Sequence, residues 1–144
     1  MLSINPYLTF NGNCEAAMMF YKSIFGGEFS DFNRFSDFSN EGNEGGELPA
    51  DKLEGIMHIA YPIGENTVLM ASDAHPLSPP VVFGQHISLS ISADSKEKAT
   101  EFFTKLAEGG VVTMPIADTF WGAYFGMLDD KFGISWLINY DYPT

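Results

Sequence analysis

Cysteine and basic residues are scarce in this chain of 144 residues. Cys14 is the single cysteine, which excludes an internal disulfide and any zinc or iron–sulfur site built from several thiolates. Only 7 lysines and arginines stand against 19 acidic residues, so the formal net charge is −12. Such a surface repels phosphate groups, and we therefore expect neither nucleic acid nor an anionic membrane as a partner.

Long apolar runs are also missing. No stretch approaches the roughly 20 apolar residues of a membrane helix. Residues 1–6 lack the basic region and apolar run of a signal peptide, and we expect a cytoplasmic protein. Hydrophobic residues nevertheless make up 45% of the chain and aromatic residues 15%. This composition is sufficient for a folded core and argues against disorder.

The first half of the chain predicts one β-α-β-β-β unit. Stretches rich in β-branched and aromatic residues alternate with breakers, and one stretch has apolar residues at helical spacing. Asn13 is expected to cap that helix, and Gly26-Gly27 to end it. The predicted elements are a strand over 4–10, a helix from Glu15, an exposed loop over 37–55, and strands over 28–35, 56–63 and 67–72.

The second half repeats this order after a segment that contains three prolines. We predict that residues 75–84 are a linker between a first module, 1–74, and a second module, 85–144. The helix of the second module is expected to begin at Asp94 or Ser95. The remaining predicted elements are strands over 86–91, 111–119, 123–128 and 134–140.

The two halves agree closely enough to be copies of one unit. Ala17-Met18-Met19-Phe20-Tyr21 aligns with Ala99-Thr100-Glu101-Phe102-Phe103, and both predicted helices end at paired glycines. Neither half could cover its own sheet alone. We therefore predict an α+β fold in which two β-α-β-β-β modules form a curved, partly open mixed-sheet barrel around a cavity, with the helices outside.

Five runs spread along the chain form a specific pattern. They are Pro6-Tyr7-Leu8-Thr9-Phe10-Asn11-Gly12-Asn13, Phe20-Tyr21-Lys22-Ser23-Ile24-Phe25-Gly26-Gly27, Gln85-His86-Ile87-Ser88-Leu89-Ser90-Ile91, Trp121-Gly122-Ala123-Tyr124-Phe125-Gly126 and Asp130-Lys131-Phe132-Gly133-Ile134-Ser135-Trp136. Together they resemble the PhnB-like branch of the glyoxalase/bleomycin-resistance/dioxygenase superfamily, also called the vicinal oxygen chelate superfamily. The resemblance covers nearly the whole chain.

The resemblance implies a homodimer of paired glyoxalase-like modules. Members of the superfamily include metal-dependent lyases, isomerases, thiol transferases and ring-cleaving dioxygenases, and also metal-free proteins that sequester a small molecule. Membership therefore does not select a function. Some members carry the name of a ubiquinone-pathway methyltransferase. No G-x-G turn precedes a helix in this sequence, so the sequence gives that activity no support.

The resemblance also implies where a metal would bind, because metal-dependent members place His, Glu or Gln ligands on the first and last strands of each module. In this sequence the four positions fall near Asn5, Met70, His86 and Leu137. Within the repeat, a one-residue insertion places His86 opposite Asn5. Only His86 is a good ligand for Zn, Ni, Mn or Fe, and one imidazole does not hold a divalent cation. We therefore expect no metal cofactor, with His86 as a weak candidate ligand.

Two questions at these positions stay open in the sequence. An alignment shifted by a residue or two would bring in Asp73, His75 or Asn139 as donors. His86 itself is either a strand histidine that is satisfied by neighbours such as Ser88, or a residue that contacts a ligand.

Other side chains could carry chemistry. The imidazole of His58 suits general acid–base chemistry if it faces the cavity, and otherwise it lies at a strand edge or a dimer contact. The aromatic residues of the second half line a pocket for a flat ligand or fill the core. The candidate ligand-binding residues are His86, Ser88, Tyr7, His58, Met70, Trp121, Tyr124 and Trp136.

The loop over 37–55 and the lone cysteine each have two interpretations. The loop is either a lid over the cavity or a surface insertion. Cys14 lies in the first turn of the first helix, where the positive helix end could lower its pKa; otherwise it is a structural thiol.

We therefore expect a homodimeric protein that binds a small apolar or aromatic molecule in its cavity, without a complete metal site. Polar contacts would come from His86, Ser88 and Tyr7. The alternative is a divalent-metal-dependent lyase, isomerase or dioxygenase with ligands drawn from His86, His58 and an acid. The sequence leaves open whether the protein has a catalytic activity.

Overall fold

Residues 2–38 and 48–144 are described by a computed structural model, which divides the chain into the units Met1–Val82 and Phe83–Thr144. In order, the first unit contains β1 (Tyr7–Phe10), α1 (Cys14–Phe25), β2 (Asp31–Arg34), β3 (Ile56–Ile63) and β4 (Thr67–Asp73), and the second contains β5 (Leu89–Ser92), α2 (Lys96–Ala107), β6 (Val111–Asp118), β7 (Ala123–Asp129) and β8 (Ser135–Asp141). The predicted α+β class and the repeated β-α-β-β-β order are confirmed.

Both units build the same open, mixed sheet. The strand order is β1-β4-β3-β2 in the first unit and β5-β8-β7-β6 in the second. In each sheet the first and last strands of the unit are parallel, with Tyr7 opposite Met70 and Ser90 opposite Leu137. The remaining neighbours are antiparallel. The parallel pair is possible because a helix and two further strands lie between its members in the chain and give the long connection that parallel strands need.

In the first unit, α1 packs against one face of the sheet. Ala17, Met18 and Tyr21 on the helix are fully buried, as are Ile59 and Tyr61 on β3. Side chains alternate between the faces of a strand, so the same face also carries the buried residues Phe10, Leu69 and Ala71. Burial of each large apolar side chain contributes about 1.5–3 kcal/mol to stability.

In the second unit, α2 approaches the sheet closely. Phe103 and Leu106 on the helix are buried, as are Trp136 and Ile138 on β8. A methyl group on Gly126 would lie 2.7 Å from the Phe103 ring. A side chain at this β7 position would therefore push the helix away, which explains the glycine.

The two helices begin with different caps. Asn13 occupies the cap position of α1 as predicted, but its side chain makes no capping hydrogen bond. The buried carboxylate of Asp73 accepts from the backbone N–H groups of Gly12 (2.8 Å) and Cys14 (2.9 Å) instead, and also from that of Ile56 (2.8 Å). The predicted capping role of Asn13 is therefore wrong.

The N-terminus of α2 follows one of the two predictions. Ser95 is its cap, and the Ser95 hydroxyl accepts from the backbone N–H of Lys98 at 3.1 Å. Neither of the helices in the described residues has the length and apolar character that crossing a bilayer requires.

Some predicted boundaries differ from the structure. The strand predicted over 86–91 begins only at Leu89, and His86 lies in a bend before it. The first strand likewise begins at Tyr7, and not at Ile4. A short 3₁₀ turn spans Phe35–Phe38 and overlaps the start of the predicted loop 37–55, and a second spans Ala50–Lys52 within it. Residues 39–47 of this predicted loop lie outside the described residues.

Candidate functional site

The face of the first sheet opposite α1 carries a group of polar and aromatic side chains. Tyr7 lies opposite Met70 across the β1–β4 pair, and Asp31 and Met70 both lie opposite Ala60 of β3. Because side chains alternate along each strand, His58 shares this face. β3 is an inner strand, between β2 and β4, so the prediction that His58 lies at a strand edge is wrong.

Asp31 and His58 form the closest polar pair on this face. The Nδ1 atom of His58 lies 2.5 Å from Oδ2 of Asp31. The amide of Asn33 donates to the other carboxylate oxygen at 2.7 Å. The hydrogen bond from His58 is the main cause that lowers the pKa of Asp31 below its usual value. The carboxylate is therefore held on both oxygens and stays ionised at neutral pH.

The second ring nitrogen of His58 is free within the part of the chain that the structure describes. The side chain of His58 is 30% exposed, and Asp31 is its only hydrogen-bond partner among these residues. The ring of Tyr7, which is 48% exposed, lies beside the imidazole at a centroid distance of 5.9 Å. An accessible nitrogen and an aromatic surface therefore lie next to each other.

The second unit has a cleft of about 310 Å³ on the face of its sheet opposite α2. Met127 and Leu137 pair across β7 and β8 and form an apolar floor. Ser88, Thr113 and Ser135 add hydroxyl groups, and the Ser135 hydroxyl donates to Asp129 at 2.6 Å. The cleft therefore combines an apolar floor with a few polar groups, as small-molecule sites generally do.

The first unit has a cleft of about 390 Å³ near the start of α1. Two of its acidic lining residues are already engaged: Glu15 pairs with Arg34 at 2.8 Å, and Asp73 accepts hydrogen bonds from backbone N–H groups. The ring of His75 packs edge-on against the ring of Phe35, with 6.0 Å between the ring centroids. This cleft offers fewer free groups to a ligand than its volume alone implies.

Several candidate ligand-binding residues lie on the helix-facing side of the second sheet. Trp136 is only 3% exposed and donates its indole N–H to Asp130 at 2.8 Å. Tyr124 shares a hydrogen bond of 3.0 Å with Thr100 on α2. Trp121 is 58% exposed and lies outside this core. Ligand binding by any of the eight candidates stays a prediction.

The strand register constrains the alignment of the repeat. Tyr7 lies opposite Met70 and Ser90 lies opposite Leu137. If Met70 corresponds to Leu137, then Tyr7 corresponds to Ser90, and Asn5, two residues earlier, corresponds to Ser88. The predicted pairs Asn5–His86 and Met70–Leu137 are therefore offset from each other by two residues in the strand register.

The residues at the four family positions do not fit a divalent metal. The side-chain oxygen of Asn5 accepts from the backbone N–H of Val68 at 3.0 Å, and Met70 and Leu137 offer no hard donor. The remaining position falls at His86 or, if Met70 corresponds to Leu137, at Ser88; neither a single imidazole nor a neutral hydroxyl holds a divalent cation by itself. Across residues 2–38 and 48–144, no three His, Cys, Asp or Glu side chains form a group that could hold a metal.

An alignment shifted by a residue or two would bring in Asp73, His75 or Asn139, but none of these is a better metal ligand. Asp73 already accepts three backbone hydrogen bonds. His75 Nδ1 accepts from the backbone N–H of Leu77 at 3.2 Å, and the Asn139 amide donates to Asp141 at 3.0 Å. Each of the three therefore has a local structural role.

Cys14 is a buried thiol at the start of α1. Burial is the main cause that raises its pKa far above the usual range, and the charges of Asp73 and Glu15 add to the effect. Of the two interpretations, the structural thiol agrees with this environment, because desolvation and two nearby carboxylates outweigh the effect of the helix dipole on the pKa.

Sequence reasoning missed Asp31, Asn33, Met127 and Thr113 as site residues. Asp31 and Asn33 share the two-residue spacing of side chains on one strand face, which is the only local signal they give. Their pairing with His58 depends on how β2 lies against β3, and residues 35–55 separate those strands in the sequence.

Comparisons with known proteins agree with this architecture. The family model described as 3-demethylubiquinone-9 3-methyltransferase matches residues 2–139. The crystal structure of protein PA1353 from Pseudomonas aeruginosa is 42% identical, with a TM-score of 0.84 and coverage of 98% of both chains. A PhnB protein from Bacillus cereus is 27% identical, with a TM-score of 0.75 and coverage of 96% of this chain and 99% of that one.

A more distant structure shows the fold alone. A glyoxylase/bleomycin resistance protein/dioxygenase domain from Frankia sp. EAN1pec is 13% identical, with a TM-score of 0.66 and coverage of 99% of both chains. The repeated β-α-β-β-β units, the mixed sheets and these matches agree. The chain belongs to the PhnB-like family described as 3-demethylubiquinone-9 3-methyltransferase, and it shares its fold with the glyoxylase/bleomycin resistance protein/dioxygenase domain.

Proposed function

We propose that this protein binds a small apolar or aromatic molecule, and that the cleft of the second unit is its binding site. The observation that carries the proposal is the apolar floor of Met127 and Leu137 beneath the hydroxyls of Ser88 and Thr113. A volume of about 310 Å³ lies at the lower end of the range for small-molecule sites.

The residue at the family metal position supports an apolar ligand. Leu137 stands where metal-dependent relatives would place a donor, and it forms part of the cleft floor. A hydrocarbon side chain there favours contact with an apolar surface over coordination of an ion. The hydroxyls at the rim would then orient the ligand through one or two hydrogen bonds.

Ligand binding is testable by tryptophan fluorescence, because Trp136 borders the cleft next to Leu137, although its indole packs on the helix-facing side of the sheet. We would screen flat aromatic compounds by tryptophan fluorescence and thermal shift, and then measure affinity for the variant Met127→Gln. A polar side chain of similar length in the floor should weaken binding about tenfold, which corresponds to about 1.4 kcal/mol. Met19→Gln is the matched control, because Met19 is 47% exposed on α1.

Two results would contradict the proposal. One is a broad library in which no compound changes the fluorescence or the melting temperature. The other is equal ligand affinity for the wild-type protein and the Met127→Gln variant, with both proteins folded. Elemental analysis of the purified protein tests the metal-dependent alternative, which would gain support from a stoichiometric divalent metal.

The homodimer implied by the family is part of the same proposal. Sedimentation equilibrium should give twice the mass of the chain, which is 15.9 kDa. A mass that stays monomeric at tens of micromolar protein would contradict it.

A further inference from the structure

We propose that Asp31 and His58 form an acid–base site on the first sheet, which takes a proton from a weakly acidic hydroxyl, phenolic or enolic, of a flat ligand. This inference goes beyond the proposed binding in the second unit and does not depend on it. It is based on the geometry of four side chains on the sheet face opposite α1: Asp31, His58, Tyr7 and Met70.

The first step is the position of the imidazole proton. Asp31 is ionised and lies against Nδ1 of His58 at 2.5 Å, so a neutral imidazole carries its proton on Nδ1. The lone pair then resides on Nε2, which has no hydrogen-bond partner among the described residues. A carboxylate also stabilises the imidazolium that forms when Nε2 gains a proton. This arrangement suits a general base.

The second step is the rigidity of the pair. The other oxygen of Asp31 accepts from Asn33 at 2.7 Å, so the carboxylate is fixed at both ends. His58 is on an inner strand, whose backbone is paired on both sides. A base that is held in place needs little reorganisation when it reacts.

The third step is the class of ligand. The half-exposed ring of Tyr7 lies 5.9 Å from the imidazole, and Met70 lies opposite Tyr7 on β4. Together they offer an aromatic and polarisable surface to a flat molecule. A net charge of −12 disfavours the approach of anions, so the ligand would arrive in its neutral, protonated form.

The chemical step is a single proton transfer. The O–H bond of the ligand breaks, the proton moves to Nε2, and the electron pair stays on the ligand oxygen. The products are a phenolate or enolate and an imidazolium, which is flanked by the Asp31 carboxylate. The titratable groups beside His58 are Asp31 on β2 and Tyr7 on β1. The residue on β4 that lies opposite Tyr7 is Met70, which does not titrate.

The first test uses 4-nitrophenol, whose anion absorbs visible light, so its ionisation can be followed directly while it binds. With wild-type protein in excess, the bound phenol should ionise at a pH at least about half a unit lower than the free phenol. His58→Gln should abolish this shift, and Asp31→Asn should reduce it. His75→Gln is the matched control and should leave it unchanged.

Three outcomes of this titration would overturn the proposal: no shift with wild type, an equal shift with His58→Gln, or an equal shift with Asp31→Asn. A second measurement needs no variant. Imidazole ¹H–¹⁵N spectra of wild type, recorded at a pH at which His58 is neutral, should show its proton on Nδ1, and a proton on Nε2 instead would also overturn the proposal.

Discussion

At the scale of single residues, Asp73 has the most concentrated structural role. Its side chain is 6% exposed, and its two oxygens accept hydrogen bonds from the backbone of Gly12, Cys14 and Ile56. These residues precede α1, begin α1 and begin β3. One carboxylate on β4 therefore fixes the start of the helix against two strands.

Replacing Asp73 by Asn should destabilise the protein. An amide has one acceptor oxygen, and its NH₂ group would face a backbone N–H that has lost its partner. We expect the free energy of unfolding to fall by about 2–4 kcal/mol. Urea denaturation would measure the change. Asp51→Asn is the control, since this exposed carboxylate should change stability by less than about 0.5 kcal/mol. Equal effects of the two substitutions would contradict the role of Asp73.

At the scale of elements, the two helices differ in what caps them. Ser95 caps α2 with its own hydroxyl, whereas α1 is capped by the side chain of Asp73, which lies on β4. Ser95→Ala should therefore cost about 1 kcal/mol of stability, and Asn13→Ala only a few tenths. Thermal and urea unfolding of the two variants would test this difference. A loss for Asn13→Ala as large as that for Ser95→Ala would mean that Asn13 caps α1 after all.

The elements that the sequence predicted well are those with strong periodicity. α1, α2 and β3 have the expected bounds to within one or two residues, because their apolar patterns are long and end at glycines or caps. β2 and β5 are short edge strands with four residues each, and both were predicted too long. Edge strands bury less of their surface, so their sequence pattern is weaker.

The site was less predictable than the fold. His58 was a candidate from its place in a strand, but its partner Asp31 belongs to a strand with a weak pattern. The two meet only through the register of β2 on β3. The two-residue offset between the pairs Asn5–His86 and Met70–Leu137 is likewise visible only once β5 is paired with β8. Contacts set by strand register cannot be derived from local spacing.

At the scale of the whole molecule, acidic residues outnumber basic ones, and a few carboxylates have strong local partners. Hydrogen bonds from Arg34 lower the pKa of Glu15, that from His58 lowers the pKa of Asp31, and those from Lys105 and Lys98 lower the pKa of Glu101. In each case the folded protein holds the proton less tightly than the unfolded chain, whose carboxyl groups titrate near pH 4.

These lowered pKa values set the direction of the pH dependence. Between about pH 5 and pH 3 the unfolded chain binds more protons than the folded protein, so stability rises with pH in this window. The contribution of each carboxylate is present in full above its unfolded pKa and is lost as the pH falls through its folded pKa. The free energy of unfolding should therefore decrease on acidification below about pH 5.

Arg34→Met should make this decrease less steep. Glu15 would lose the guanidinium 2.8 Å away, and its pKa would return toward the unfolded value. The slope of the unfolding free energy against pH would then fall by at most the amount that corresponds to about one bound proton. Lys52→Met is the matched control, because it also removes one positive charge but Lys52 makes no ion pair among the described residues. Urea denaturation from pH 3 to pH 7 would measure both slopes. A smaller slope for Arg34→Met alone would show that the Glu15–Arg34 ion pair contributes to the acid sensitivity. The same slope for both variants would contradict this and would mean that overall charge sets the acid sensitivity.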